Sequence, residues 1–149
     1  MLIKTNKSFL NTLSVVFPTR IIDLKVTPNP AIAGEPATIS GVLQHEVFPG
    51  IWLGLANAPV NIYINGQFIG TVTTNGDGSF ELIHTFTGPG VYTISAYYPG
   101  SQWDNPAGPV STTVTVITQQ QAQLNQFLIG LVIAIVIALG GALIYELVT

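Results

Sequence analysis

Short runs of alternating apolar and polar residues fill the middle of the chain and give way, near its end, to a run that is apolar at nearly every position. A period of two places successive side chains on opposite faces, the mark of a strand with one side buried. Such runs, rich in β-branched residues, predict strands at Ile21–Thr27, Pro36–Leu43, Val60–Ile64, Gln67–Thr73, Ser79–Phe86, Val91–Tyr98 and Ser111–Thr118. Turn chemistry separates them. Asn65-Gly66 joins two residues that accept positive φ, Thr74-Asn75-Gly76-Asp77-Gly78 holds an Asn-Gly and an Asp-Gly pair, and Gly88-Pro89-Gly90 supplies a third turn. Seven short, turn-punctuated strands predict an all-β fold, an antiparallel β-sandwich spanning residues 21–118.

The apolar run, Phe127 to Tyr145, covers 19 residues without a charge, and twelve of them are Leu, Ile, Val or Phe. As a helix it would extend about 28 Å, close to the hydrocarbon thickness of a bilayer. The sequence therefore predicts one C-terminal transmembrane α-helix over 127–148, approached through a polar linker at 119–126 that holds five glutamines. Gly130, Ala134, Ala138 and Ala142 recur every four residues, a small-residue stripe that permits close packing of a second helix and homo-oligomerisation through it. No Lys or Arg lies near either end of the run, so the positive-inside rule assigns no orientation.

Charge sharpens this picture. Only 7% of the 149 residues are charged, and the four basic ones, Lys4, Lys7, Arg20 and Lys25, all fall in the first 25. With no base after residue 25, the chain has no means of neutralising phosphates along a groove, so no nucleic-acid partner is expected. Cysteine is absent, which removes disulfides and thiolate chemistry.

The run APVNIYINGQFIGTVTTNGDGSFELIHTFTGPGVYTISAYYPG resembles the bacterial and archaeal Ig-like domains of surface proteins. The residues that carry the resemblance are Thr74, Asp77, Gly78, Phe80, Pro89, Gly90, Tyr92 and Thr93. It implies an Ig-like sandwich and is nearly silent on activity, since such modules serve as spacers, adhesins and shell components. The cysteine pair of antibody domains is missing, and no Trp falls on the third predicted strand; Tyr92 is placed to form a tyrosine corner.

In such a topology the loop after the second predicted strand, Gln44–Pro59, and the loop before the last, Pro99–Val110, share one end of the sandwich. The last strand runs away from that end into the helix, so both loops are expected to be membrane-distal, as is the start of the first strand. The first loop carries Phe48, Ile51, Trp52 and Leu53; the second carries Trp103 beside Asp104. These six residues are the candidate partner-binding set, and the alternative is that Phe48 and Trp52 fold back to plug the core. Residues 1–20, in which Leu2, Ile3, Phe9, Leu10, Leu13, Val16 and Phe17 recur at helical spacing, read as an arm docking on a neighbouring subunit, with an uncleaved targeting segment or a disordered tail as alternatives.

Little in the chain suggests reaction chemistry. His45 and His84 are isolated in sequence, and His84 shares strand parity with Phe80, Leu82 and Phe86, which makes it a core or rim residue. Asp77, with Asp104 as the one further obvious oxygen source, falls far short of the ligands calcium takes. No nucleophile has an adjacent base and no glycine-rich loop joins a strand to a helix. The expectation is a non-enzymatic, cofactor-free and metal-free structural subunit of a surface assembly. Its partners would be membrane lipid and protein subunits, in an archaeal-type cell envelope or a membrane-containing virion. A binding module of adhesin or receptor type, or an accessory subunit of a membrane enzyme complex, remains open.

Overall fold

The computed structural model describes residues 15–148, and the side chains of residues 15–141. Nine strands and one helix follow in order: β1 (Thr19–Thr27), β2 (Ala31–Ile32), β3 (Pro36–Phe48), β4 (Ile51–Gly54), β5 (Pro59–Ile64), β6 (Gln67–Thr73), β7 (Ser79–Thr85), β8 (Gly90–Tyr98), β9 (Ala107–Ile117) and α1 (Gln119–Val148). Seven strands are those expected; β2 and β4 are additional. They form two sheets. In one, β3 is flanked by β1 on one side and by β7 and β4 in succession on the other; the second has the order β2-β9-β8-β5-β6. All pairings between strands are antiparallel except β2 with β9. The fold is an Ig-like β-sandwich followed by a C-terminal helix.

Alternate residues of the strands meet between the sheets: Ile39 and Leu43 of β3, Phe80 of β7, Val60 and Ile62 of β5, Ile94 of β8 and Val114 of β9 are all essentially inaccessible. β3 buries every second residue from Ala37 to Leu43. His84 lies on this inner side at the edge, its ring edge-on to Phe86 with centroids 4.8 Å apart. Tyr92 closes the tyrosine corner through a 2.9 Å hydrogen bond from its hydroxyl to the carbonyl of Gly88.

The turns divide by role. Asn65 and Gly66 both take positive φ, 50° and 79°, and join β5 to β6 as a two-residue hairpin. The Asn75–Gly78 segment does something else, because β6 and β7 belong to different sheets. It is a crossover, closed by bonds from Gly78 N to the Asn75 carbonyl and from Asn75 N to the Ser79 carbonyl. The Asp77 carboxylate accepts from the Ser79 amide at 2.9 Å and its hydroxyl at 2.6 Å. Those two bonds, the hydroxyl's first, hold the Asp77 carboxyl below its usual range.

The polar approach at 119–126 is helical and continuous with the apolar run. Glutamine, alanine and leucine are good helix formers, and the Thr118 hydroxyl caps the first turn by accepting from Gln121 N at 3.1 Å. Over Gln119–Gly141 the helix is long and apolar enough to cross a membrane, and no residue of that stretch is buried against the sandwich.

Replacing Tyr92 with Phe should cost about 1 kcal/mol of unfolding free energy, while Phe80→Ala should cost about 3–5 kcal/mol. Denaturant titration of the two variants tests the order. Equal losses would show that the corner bond is more than a single net hydrogen bond.

Candidate functional site

The helix-distal end of the sandwich is built by an unexpected extension of β3. The predicted strand ended at Leu43; the observed one continues to Phe48, turns at Pro49-Gly50 and returns as β4. Gly50 has φ 81°, and its amide donates to the Glu46 carboxylate at 2.6 Å, which fastens the turn to its own strand. The segment read as a long loop is therefore a β-hairpin that carries its apolar residues beyond the core.

The exit of this hairpin requires two glycines. Gly54 lies against the backbone at Asp77, and Gly78 lies against Leu43, Gly54 and Leu55; a Cβ at either position would overlap backbone atoms. Here Gly78 accepts from Leu43 N through its carbonyl and Leu43 accepts from Leu55 N, both at 2.9 Å, as the chain passes from β4 over the start of β7. Thr74, only 2% exposed, locks the crossing. Its hydroxyl donates to the Leu55 carbonyl and accepts from Ala58 N.

Strand register decides which of the candidate residues belong together. His45 pairs with Leu53, Glu46 with Trp52, and after a bulge Phe48 pairs with Ile51. Cross-strand partners share a face and neighbours along a strand alternate, so Phe48, Ile51 and Leu53 lie on one side of the hairpin and Trp52 on the other. All three on the first side are exposed, Phe48 by 71%, Ile51 by 51% and Leu53 by 52%. Phe48 is thus no plug. Trp52 is half-buried on the opposite side beneath Arg20, whose guanidinium carbon sits 4.0 Å from the ring centroid. Arg20 is oriented by a 2.9 Å bond from its Nε to Gln44. The six candidates therefore do not form one surface.

Asp104 departs furthest from the expected role. It is 8% exposed, with one carboxylate oxygen 3.0 Å from His45 Nδ1 and the other accepting from the Ser101 hydroxyl at 3.1 Å. It points inward and ties the β8–β9 loop to β3. Trp103, next to it, is 58% exposed. The end of the N-terminal segment joins the same knot: Phe17 N donates to the Trp103 carbonyl, Asn105 N donates to the Phe17 carbonyl, and the Phe17 ring meets His45 edge-on at 5.8 Å. Strand β1 consequently begins at Thr19, two residues before the expected boundary. The rest of the proposed arm, residues 1–14, lies outside the described residues. Sequence reasoning missed His45 and Thr74 as organisers because their partners are 59 and 16–19 residues away.

Both long loops and the start of β1 thus share one end, as expected, and β9 leads from that end to α1. On the helix a Cβ at Gly130 would meet no other part of the chain within 4 Å, Ala134 and Ala138 are exposed, and the Ala142 side chain lies outside the described set. Among the described residues no three His, Asp or Glu side chains gather into a metal-holding group.

Two predictions follow from this geometry. Asp104→Ala leaves His45 and Ser101 without their partner and should destabilise the fold by about 1–3 kcal/mol, with amide exchange rising first at Phe17 and Asn105. His84 is held below the ordinary histidine pKa by burial. The unfolded chain then takes up a proton that the folded one refuses, so stability should fall as pH drops below about 6.5 and level off beneath the folded value. His84→Gln should flatten that part of the melting-temperature profile; an unchanged profile would place the effect elsewhere.

No family model matches the chain, and no curated protein matches it. Among solved structures, it is similar to the CARDB domain of a Pyrococcus furiosus protein, in a solution NMR structure at 18% identity, with 68% of this chain and 94% of that one covered and a TM-score of 0.41. A crystal structure of the same domain in complex with di-metal ions aligns at 20% identity, over 69% of this chain and 94% of that one, again with a TM-score of 0.41.

Proposed function

We propose that the chain is a structural, membrane-anchored subunit of a surface assembly, and that its Ig-like domain presents its helix-distal tip to neighbouring protein subunits. The observation that carries this reading is the exposed row Phe48, Ile51 and Leu53 on a hairpin braced by Glu46, Gly54 and Thr74. Single exposed apolar residues are ordinary, but a contiguous row at the apex of a braced hairpin suits a desolvated contact. Trp103 adds a second exposed aromatic on the loop tied to the same strand.

The apolar helix supports anchoring in lipid, because its faces are bare and apolar where a soluble protein would bury them. Gly130, Ala134 and Ala138 offer a close-packing stripe to a second copy or another helix. A body poor in charge and rich in Thr, Asn, Gln and Tyr is suited to the outer face of an archaeal-type cell envelope or a membrane-containing virion.

Extraction from the native membrane in mild detergent, followed by sizing and mass spectrometry, tests the reading. The expected result is a regular assembly containing other protein subunits, weakened about tenfold or more by Leu53→Asp while the domain stays folded. A lone monomer, or an assembly indifferent to Leu53→Asp, would overturn the assignment of the tip.

A further inference from the structure

The two sheets differ in charge. Strands β2, β9, β8, β5 and β6 contain no Asp, Glu, Lys or Arg, whereas the strands of the other sheet carry Arg20, Asp23, Lys25, Glu46 and Glu81. Alternation turns Asn61 and Tyr63 of β5, Thr71 of β6, Ser95 and Tyr97 of β8, and Ser111 of β9 outward on the uncharged sheet, since their neighbours Val60, Ile62, Ile94, Ala96 and Val114 face the core.

This face is not flat. Tyr63, Gly66, Ser95, Tyr97 and Pro109 line an open cavity of about 400 Å³. Tyr63 is set by an edge-on contact with Phe68, centroids 5.7 Å apart. Around the rings lie paired hydroxyls and amides: Ser95 with Ser111 at 2.8 Å, and Thr71 with Asn61 at 2.7 Å. Aromatic rings offer apolar faces, and the surrounding groups offer hydrogen bonds without charge.

We propose that this cavity is a binding site for a neutral oligosaccharide. A pyranose has an apolar C–H face that stacks on a ring and an equatorial belt of hydroxyls that exchanges hydrogen bonds with Ser, Asn and Thr. An anionic or cationic ligand would find no counter-charge on any of the five strands. A purely apolar ligand would leave the hydroxyls of Tyr63, Tyr97 and Ser95 without a role. Tyr63 and Tyr97 supply the stacking surfaces and Ser95 a hydroxyl in the lining, with Asn61 beside them as the cross-strand partner of Tyr97. The site is on a sheet separate from the hairpin β3–β4, so it stands independently of the assembly proposed for the tip.

The test uses the full chain in lipid nanodiscs, free of sugar-based detergent, titrated with cellohexaose, maltohexaose, mannohexaose and chitohexaose. Calorimetry and amide chemical shifts are the readouts, and a proline-rich peptide is the control ligand. At least one sugar should bind with shifts centred on β5 and β8. Tyr63→Ala and Tyr97→Ala should each weaken it about tenfold, while Tyr63→Trp retains it and Phe48→Ala leaves it unchanged. Unchanged thermal melting of Tyr97→Ala shows that the loss is local. Binding of none of the four sugars, binding indifferent to both tyrosines, or binding of the peptide alone would overturn the proposal.

Discussion

Strand β3 is 13 residues long and has to be hydrogen-bonded along both edges over a length that no single neighbour covers on one of them. β7 pairs with it from Pro36 to Val42 and stops; β4 takes over from Gln44 to Phe48. The handover puts three segments of backbone in one place, and the two glycines at 54 and 78 make that approach sterically feasible. An unpaired edge there would leave backbone amides and carbonyls without partners at the end of the core. The hairpin is thus a consequence of satisfying β3, and it carries Phe48, Ile51 and Leu53 outward as it does so.

Around that strand the distal end is organised by polar groups rather than by further apolar packing. Asp104 reaches His45, Ser101 orders the turn that holds Asp104, and Phe17 is bonded through its backbone to Trp103 and Asn105 on either side of Asp104. Inward carboxylate and outward apolar rows reverse the usual order of a protein surface. The inward carboxylate is tolerated because each buried side-chain nitrogen or oxygen among the described residues has a partner.

Much of this was legible in the chain. Period-two alternation located seven strands to within a few residues, the Asn65-Gly66 pair identified its hairpin, and Tyr92 its corner. The shared end of the two long loops followed from strand order alone. The candidate site was less legible. Continuation of β3 past Leu43 was hidden because Gln44–Phe48 loses the clean alternation once the strand leaves the core and neither face is fully buried. The polar composition of 119–126 concealed a helical segment for the converse reason: helix propensity there acts without a buried face.

Local sequence therefore determined where strands, hairpin turns and the apolar helix occur, because steric preference, positive-φ residues and transfer energy act over a few neighbours. Tertiary structure alone decided which side chains stand together. The bulge before Phe48 set its row apart from Trp52, and a partner 59 residues away turned Asp104 inward. The assembly of five uncharged strands into one sheet, and of five charges onto the strands of the other, likewise emerged only when strands distant in sequence were paired. Register and sheet membership are settled by contacts between distant segments, and no short window of sequence contains both partners.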